Sequence, residues 1–453
     1  MTRLRLPLLA LSLTACARTA VVSTSAPAES MHAVAPLEAA PVTMGLVRDP
    51  AIVAALADVS ASRIRRTDSV LVSFGTRHAM SDTLSATRGV GAARRWILSE
   101  LQGYAAACGG CLRVEYDPAM VVVARHPQRP SVDIVNVLAW LPGRDTTRVV
   151  VLGGHYDSCV CNTDRFDAVS EAPGADDDGS GTSAVIELAR VFSTRFPRGL
   201  DATVVFALYS GEELGLLGST HFAERLHAKG TRVVAGMTDD IVGNVVADDG
   251  TVDSNSVRIF AADPDQGPSR ELGRYAWAAG AVYQPDFTVL PVFRLDRILR
   301  GGDHRPFVEK GDAGLRFTER LENYKRQHLA TDRLSDVNFG YVARVARLNA
   351  ATVAALASAP ASPDSVRATR DRASGGQKWL VEWNRVNGAA SYEVLWRRTA
   401  AATWERVVPV GGATSHVLDE QLDDGWTAVR AVGANGHRSL AVSAVVGAYT
   451  TPR

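Results

Sequence analysis

Four short apolar runs, DIVNVLAWL (133–141), RVVVLGG (148–154), ATVVFALYS (202–210) and AGLRFTE (313–319), leave this chain few folds to choose from. They are rich in Val, Ile, Leu and Phe and bounded by glycine or polar residues, which marks buried strands. Between them, GTSAVIELARVFSTRF (181–196) and LGLLGSTHFAERLHA (214–228) place apolar residues at helical spacing. The alternation predicts an α/β domain over residues 46–358, a three-layer sandwich with helices over a mostly parallel sheet, closed by a helix at about 338–358. Ligands in such folds gather at the carboxyl ends of the strands.

Residues 359–365, APASPDS, read as a Pro/Ser-rich linker. After them, WLVEW (379–383), SYEVLWRR (391–398), WTAVRAV (426–432) and SLAVSAVV (439–446) predict a small all-β sandwich over 366–453. At the other end, Met1 to Arg5 carries two arginines ahead of LPLLALSLTA, a run too short to span a bilayer and of the length of a secretory leader. Residues 17–45, rich in Ala, Ser and Pro, read as a tether. With 49 basic and 49 acidic residues in 453, there is no bias toward nucleic acid.

Export gives the remaining thiols a meaning. Cys108 with Cys111 (CGGC) and Cys159 with Cys161 (CVC) argue for disulfides in an oxidising compartment. A ring closed within Cys-Val-Cys is strained, which favours links between the two pairs. A structural zinc held by four cysteines is the alternative, and the CxxC half suits it.

The polar residues fall where an α/β site would be. GGHYDS (153–158) puts His155 and Asp157 two residues apart after a strand, so both can point one way. SGEELG (210–215) puts Glu212 and Glu213 after another, MTDDIVG (237–243) offers Asp239 and Asp240, and GGDHRPF (301–307) offers Asp303 and His304. Each alone has an ordinary explanation: a lone histidine after a strand is usually structural, and paired acids usually open a solvated helix. Together, imidazoles and carboxylates in loops of one domain form the donor set of a site for two first-row divalent metals.

The motifs GGHYDS, APGADDDGSG (172–181), SGEELGLLGS, DDIVGN and GGDHRPF, in order and with compatible spacing over 46–358, resemble the co-catalytic zinc aminopeptidases related to bacterial secreted leucyl aminopeptidases and, more distantly, to glutamate carboxypeptidase II and glutaminyl cyclases. The resemblance implies two Zn2+ per chain, a peptide substrate, and His155, Asp177, Glu213, Asp240 and His304 as metal ligands, with Asp177 bridging. It implies Glu212 as general base and Asp157 as the acid that orients His155. A carboxypeptidase or a glutaminyl-cyclase-like activity is the alternative on the same scaffold, and a degenerate scaffold that binds through its β-sandwich is a third.

Two further resemblances bear on placement. Leu13-Thr14-Ala15-Cys16 is similar to a bacterial lipobox, which implies a leader over 1–16 and a lipidated Cys16 that tethers an exported protein to the cell envelope. Trp383, Tyr392 and AVRAVGANGHRS resemble a fibronectin type III module, whose partner is unknown. The chain departs from the peptidase pattern at Gly302, where serine is common, and in the two cysteines between His155 and Asp177. Tyr324 and His328 in ENYKRQHLATD are placed equally well at a substrate pocket or at the surface, and receive no role.

Overall fold

Eight strands carry the larger part of the chain in a computed structural model that describes residues 44–262, 264–294, 296 and 301–447. The expected leader with Cys16, and the expected tether up to residue 43, lie outside the described residues. The strands are β1 (Arg113–Val122), β2 (Ser131–Leu141), β3 (Asp145–His155), β4 (Ala202–Tyr209), β5 (Arg232–Asp239), β6 (Ser256–Phe260), β7 (Thr288–Val292) and β8 (Gly314–Glu319). They form one sheet in the order β1-β2-β4-β3-β5-β8-β6-β7. Its centre, β4-β3-β5-β8, is parallel, while β2 runs antiparallel to β4 and β6 antiparallel to β8.

Alternate residues of the central strands feed opposite layers, as the pleat requires. Val149, Val151, Val205 and Ala207 pack toward Phe222 and Phe307. Val150, Leu152, Val204, Phe206 and Leu208 pack toward the other side, where most of the helical mass lies. The helices are α1 (Pro50–Ala57), α2 (Ala61–Val72), α3 (Gly89–Ala107), α4 (Gly181–Arg195), α5 (Leu217–Ala228), α6 (Pro268–Tyr283), α7 (Arg305–Glu309) and α8 (Phe339–Ala357). Helix α8 begins where Asn338 accepts the Tyr341 N–H. The expected helix at 214–228 starts at Leu217 instead, because Leu216 adopts a left-handed φ of 60° in the turn that ends β4. Among the described residues no helix is long and apolar enough to cross a membrane.

The disulfides close within each motif, Cys108 to Cys111 and Cys159 to Cys161, rather than between the pairs as expected. Position explains it. Cys111 Sγ lies 3.6 Å from the Ser193 carbonyl near the C-terminus of α4, whereas Cys161 lies 3.7 Å from Glu213, close to where α4 begins. At 1.5 Å rise per residue those helix ends are about 18 Å apart, beyond the reach of a disulfide.

Strands between Arg367 and Val446 form two four-stranded sheets around one core that contains Trp379, Val381, Trp383, Tyr392 and Val429. This part is not hung on a free linker: Ala359 and Pro360 are buried, and the Ala359 carbonyl accepts from Arg148 at 3.3 Å. A buried ionic network fastens it to α6. Arg397 and Arg274 both pair with Asp265, at 2.7 and 3.0 Å, and Arg274 also pairs with Glu271 at 2.5 Å. The second oxygen of Glu271 accepts the indole N–H of Trp404 at 2.9 Å, which carries the network across to the sandwich.

Trp404 is 1 % exposed and packs against Ala278 of α6. Trp404→Ala removes this packing and leaves a Glu271 oxygen unpaired, and is expected to lower stability by about 3–5 kcal/mol in equilibrium denaturant unfolding. An unchanged midpoint would show that the module does not brace α6.

Candidate metal centre

The parallel strands end on one edge of the sheet, and each is followed at once by imidazole or acidic side chains. β3 ends at His155, β4 leads to Glu212 and Glu213, and β5 leads to Asp240. Parallel pairing sets them level, with His155 beside Tyr209 and Gly153 beside Thr238. β8, parallel to β5, ends at Glu319 and runs into the segment that carries His328.

Residues 174–181 pass over this edge, and their three acids do different things. Asp178 accepts backbone N–H groups of His155 and Gly181, each at 3.0 Å, and so ties the end of β3 to the start of α4. Asp176 accepts the Gly243 N–H at 2.8 Å. The backbone N–H groups of Asp176 and Asp177 are in turn received by the two oxygens of Asp332, both at 2.9 Å. Only Asp177 has its carboxylate free for imidazoles: Oδ1 lies 3.3 Å from His155 Nε2, and Oδ2 lies 3.0 Å from His328 Nε2.

Burial by itself raises a carboxyl pKa, but His328 and His155 overcome it and hold Asp177 well below the usual range. The reciprocal effect is large. Glu213, 3.3 Å away, and then Asp177 push His328 up to about 10 against its own burial, so this imidazole carries a positive charge between two acids. His155 is also raised, through Asp157 and Asp177 and against burial. Glu213 is pushed up to about 7, first by burial. Its Oε1 is buried with no hydrogen-bond partner.

Asp157 holds three parts of the centre together. His155 Nδ1 donates to its carbonyl at 3.2 Å, with the carboxylate at 3.7 Å, and this leaves Nε2 directed at Asp177. The two carboxylate oxygens of Asp157 receive the N–H groups of Glu212 and Glu213 at 3.2 and 3.3 Å. Glu212 is the more exposed of that pair, and burial, then Glu213 and Asp240, raise its carboxyl well above the ordinary range against the pull of His155.

Of the two acids at the end of β5, Asp239, its last residue, turns inward to Asn349 of α8 at 2.5 Å, and Asp240, just beyond it, turns to the site, where Arg316 meets it at 3.0 Å. Gly302 lies close against this carboxylate: a Cβ there would stand 2.8 Å from Asp240 Oδ2, so a serine at this position would require the Asp240 side chain to shift.

Among the described residues, two groups have donor atoms all within 4.8 Å of one another, as one ion requires: His155, Asp177 and Asp240; and Cys159, Glu213 and His328. His304, expected as a ligand, belongs to neither. It sits at the N-cap of α7, buried among arginines; burial, then Arg316 and Arg305, depress it to about 3, and its Nδ1 has no hydrogen-bond partner. Its neighbour Asp303 is the one that lies near the site, pushed up to about 7 by burial with Asp157 and Asp240 adding.

His328 takes the place expected for His304. Its φ of 57° is a left-handed conformation that non-glycine residues seldom adopt. The signal in the sequence was the pair His328 and Asp332 in one segment: one meets Asp177's carboxylate and the other its backbone. Three other histidines, His221, His227 and His437, pair with Asp117, Asp312 and Asp49.

Does this set of residues suit metal? It holds imidazoles with ring nitrogens directed at carboxylate oxygens and an unpartnered buried carboxylate oxygen of Glu213. The donor set is that of first-row metals with imidazole and carboxylate ligands.

Comparison with known proteins agrees. The model of peptidase family M28 matches residues 136–353. A probable zinc metalloprotease of the fungus Pyrenophora teres f. teres is 40% identical over 417 residues, covering 85% of each chain. The chain belongs to peptidase family M28. A similar protein of Pyricularia oryzae is 38% identical over 429 residues, 87% of this chain and 84% of its own. Among solved structures, the Legionella pneumophila LapA aminopeptidase shares the fold at a TM-score of 0.53 with 21% identity, over 69% of this chain and 76% of its own. These two relatives are fungal, although the motifs resemble those of bacterial secreted enzymes.

Within this M28 peptidase, His328→Ala is expected to lower bound zinc by elemental analysis, while His304→Ala keeps the wild-type content. Asp157→Asn weakens the hold on both His155 and the Glu212-Glu213 turn, and is expected to lower metal affinity about 10–100-fold in a competition titration with a chelator. Equal zinc loss in the two histidine variants would contradict the placement.

Proposed function

We propose that this M28 peptidase is an aminopeptidase that removes N-terminal residues from peptides, with two zinc ions held on either side of Asp177. The observation that carries it is the split carboxylate: one oxygen of Asp177 faces His155 and the other faces His328. His155 and Asp240 would hold one ion, Glu213 and His328 the other, and Asp177 both. Zinc, when bound there, supplies Lewis-acid polarisation of the scissile carbonyl and lowers the pKa of water.

The chain's own residues do the rest. Glu212, raised by burial and neighbouring acids and fixed through its N–H by Asp157, accepts the proton of the attacking water at its carboxylate and returns it to the leaving amine. Asp157 keeps His155 in the tautomer whose Nε2 faces Asp177. The excess of carboxylate around the centre favours a substrate that arrives with a free α-ammonium, which supports an exopeptidase acting at the N-terminus.

Purified protein is expected to cleave aminoacyl chromogenic substrates and to leave their N-acylated forms intact, with activity lost to chelators. Glu212→Gln is expected to lower kcat about 10²–10⁴-fold with zinc content unchanged. Cleavage of N-blocked peptides, or full activity in Glu212→Gln, contradicts the proposal.

Two disulfides support export to an oxidising compartment, and with it the envelope attachment through Cys16. Metabolic labelling with a radioactive fatty acid should mark the wild type and not Cys16→Ser; label in neither removes the lipid anchor from this reading.

A further inference from the structure

One donor beside the second ion position has no part in peptide hydrolysis. The Cys159 sulfur, 4 % exposed, lies within 4.8 Å of donor atoms of Glu213 and His328. Its disulfide partner Cys161, partly exposed, lies 3.7 Å from Glu213 Oε2. Glu213 Oε1 is buried there without a hydrogen-bond partner. The bridge joins residues two apart, and a ring that short adds little to stability by constraining the unfolded chain. While the sulfurs are joined, neither is a good ligand, because it is the thiolate that binds metal.

We propose that Cys159–Cys161 is a redox switch on the metal centre: when the bridge is reduced, Cys159 becomes a thiolate ligand beside Glu213 and His328 and shuts the site. The inference rests on the two-zinc reading above. The reductant is a dithiol. One of its thiolates attacks the accessible Cys161 sulfur, forming a mixed disulfide and expelling Cys159 as thiolate into the buried position. The second thiol of the reductant then displaces Cys161, so that the protein's S–S bond is broken, the reductant's is formed, and two electrons have entered the protein. Cys161 ends as a thiol, and Cys159 keeps no proton once it serves as ligand.

The consequence follows from coordination number. Catalytic zinc keeps three protein ligands and one open position, whereas structural zinc is closed by four, commonly with cysteine among them. Asp177, Glu213 and His328 make three, and Cys159 is the fourth. The softer thiolate competes well for zinc, so the position needed by water and substrate is taken until the bridge re-forms.

The test uses the full-length protein loaded with cobalt(II), which reports its ligands by absorption, and a water-soluble phosphine as reductant so that no foreign thiolate is added. Reduced wild type is expected to gain a thiolate-to-cobalt charge-transfer band and to lose hydrolysis, both reversed on reoxidation. Cys161→Ser, with Cys159 permanently free, is expected to show the band without reductant, and Cys159→Ser to show none under any treatment. Cobalt bound with ordinary ligand-field bands, but no charge-transfer band in reduced wild type or Cys161→Ser, overturns the switch and leaves the two-metal reading standing. Failure of the oxidised protein to take up cobalt at all removes that reading, and the switch with it.

Discussion

The carboxylate of Asp177 between two imidazoles is the contact on which the rest of this fold's active edge depends. To present it there, the chain must bury three consecutive acids, and it does so by giving each a separate source of positive potential. Asp178 and Asp176 receive backbone N–H groups from β3, α4 and the turn after β5, and Asp177 receives the histidines. Burial still raises Asp176 and Asp178 well above the ordinary carboxylate range despite these contacts, and only Asp177, with its imidazoles, is held below it. The centre nevertheless holds more acid than imidazole, with Glu212, Glu213 and Asp240 close by, and His328 answers by holding a proton with a pKa of about 10. That proton stands where a divalent cation relieves the same repulsion more completely.

The parallel sheet supplies the geometry for this without any loop having to be long. Adjacent parallel strands finish level with one another, so the residues just beyond β3, β4 and β5 meet by construction. Asp157 then converts proximity into alignment, because one side chain fixes both the His155 ring and the backbone of the Glu212-Glu213 turn. On the far end of the sheet order, the C-terminal sandwich is fastened to α6 through Arg397, Asp265 and Trp404, and so behaves as a brace on the layer behind the sheet.

Much of this was legible in the sequence, for a physical reason. β2, β3, β4 and β8 are dense in branched residues because both faces are buried, and α4 and α8 show a clear apolar stripe. β5, RVVAGMTD, lacks the apolar density of a strand signal because its Ala and Gly are small to admit Phe307, which a Cβ on Gly236 would meet at 2.4 Å. α3 was hidden likewise: Gly91 lowers its helical propensity, yet a Cβ there would stand 2.2 Å from the Thr83 carbonyl. Five of the site residues follow strand ends and could be found by position. His328 could not, since it stands among Tyr324, Lys325 and Arg326 and is brought in only by the fold of the segment after β8. His304 is expected only from the resemblance of GGDHRPF to the peptidase pattern, and in the fold it caps α7 outside both donor groups.

The central claim is that two ions share Asp177. It is tested most directly by anomalous X-ray scattering at the zinc edge from crystals of the zinc-loaded protein. Two peaks about 3.5–4 Å apart, one beside His155 and Asp240 and the other beside Glu213 and His328, are the predicted result. A single peak, or a peak coordinated by His304, would contradict the account.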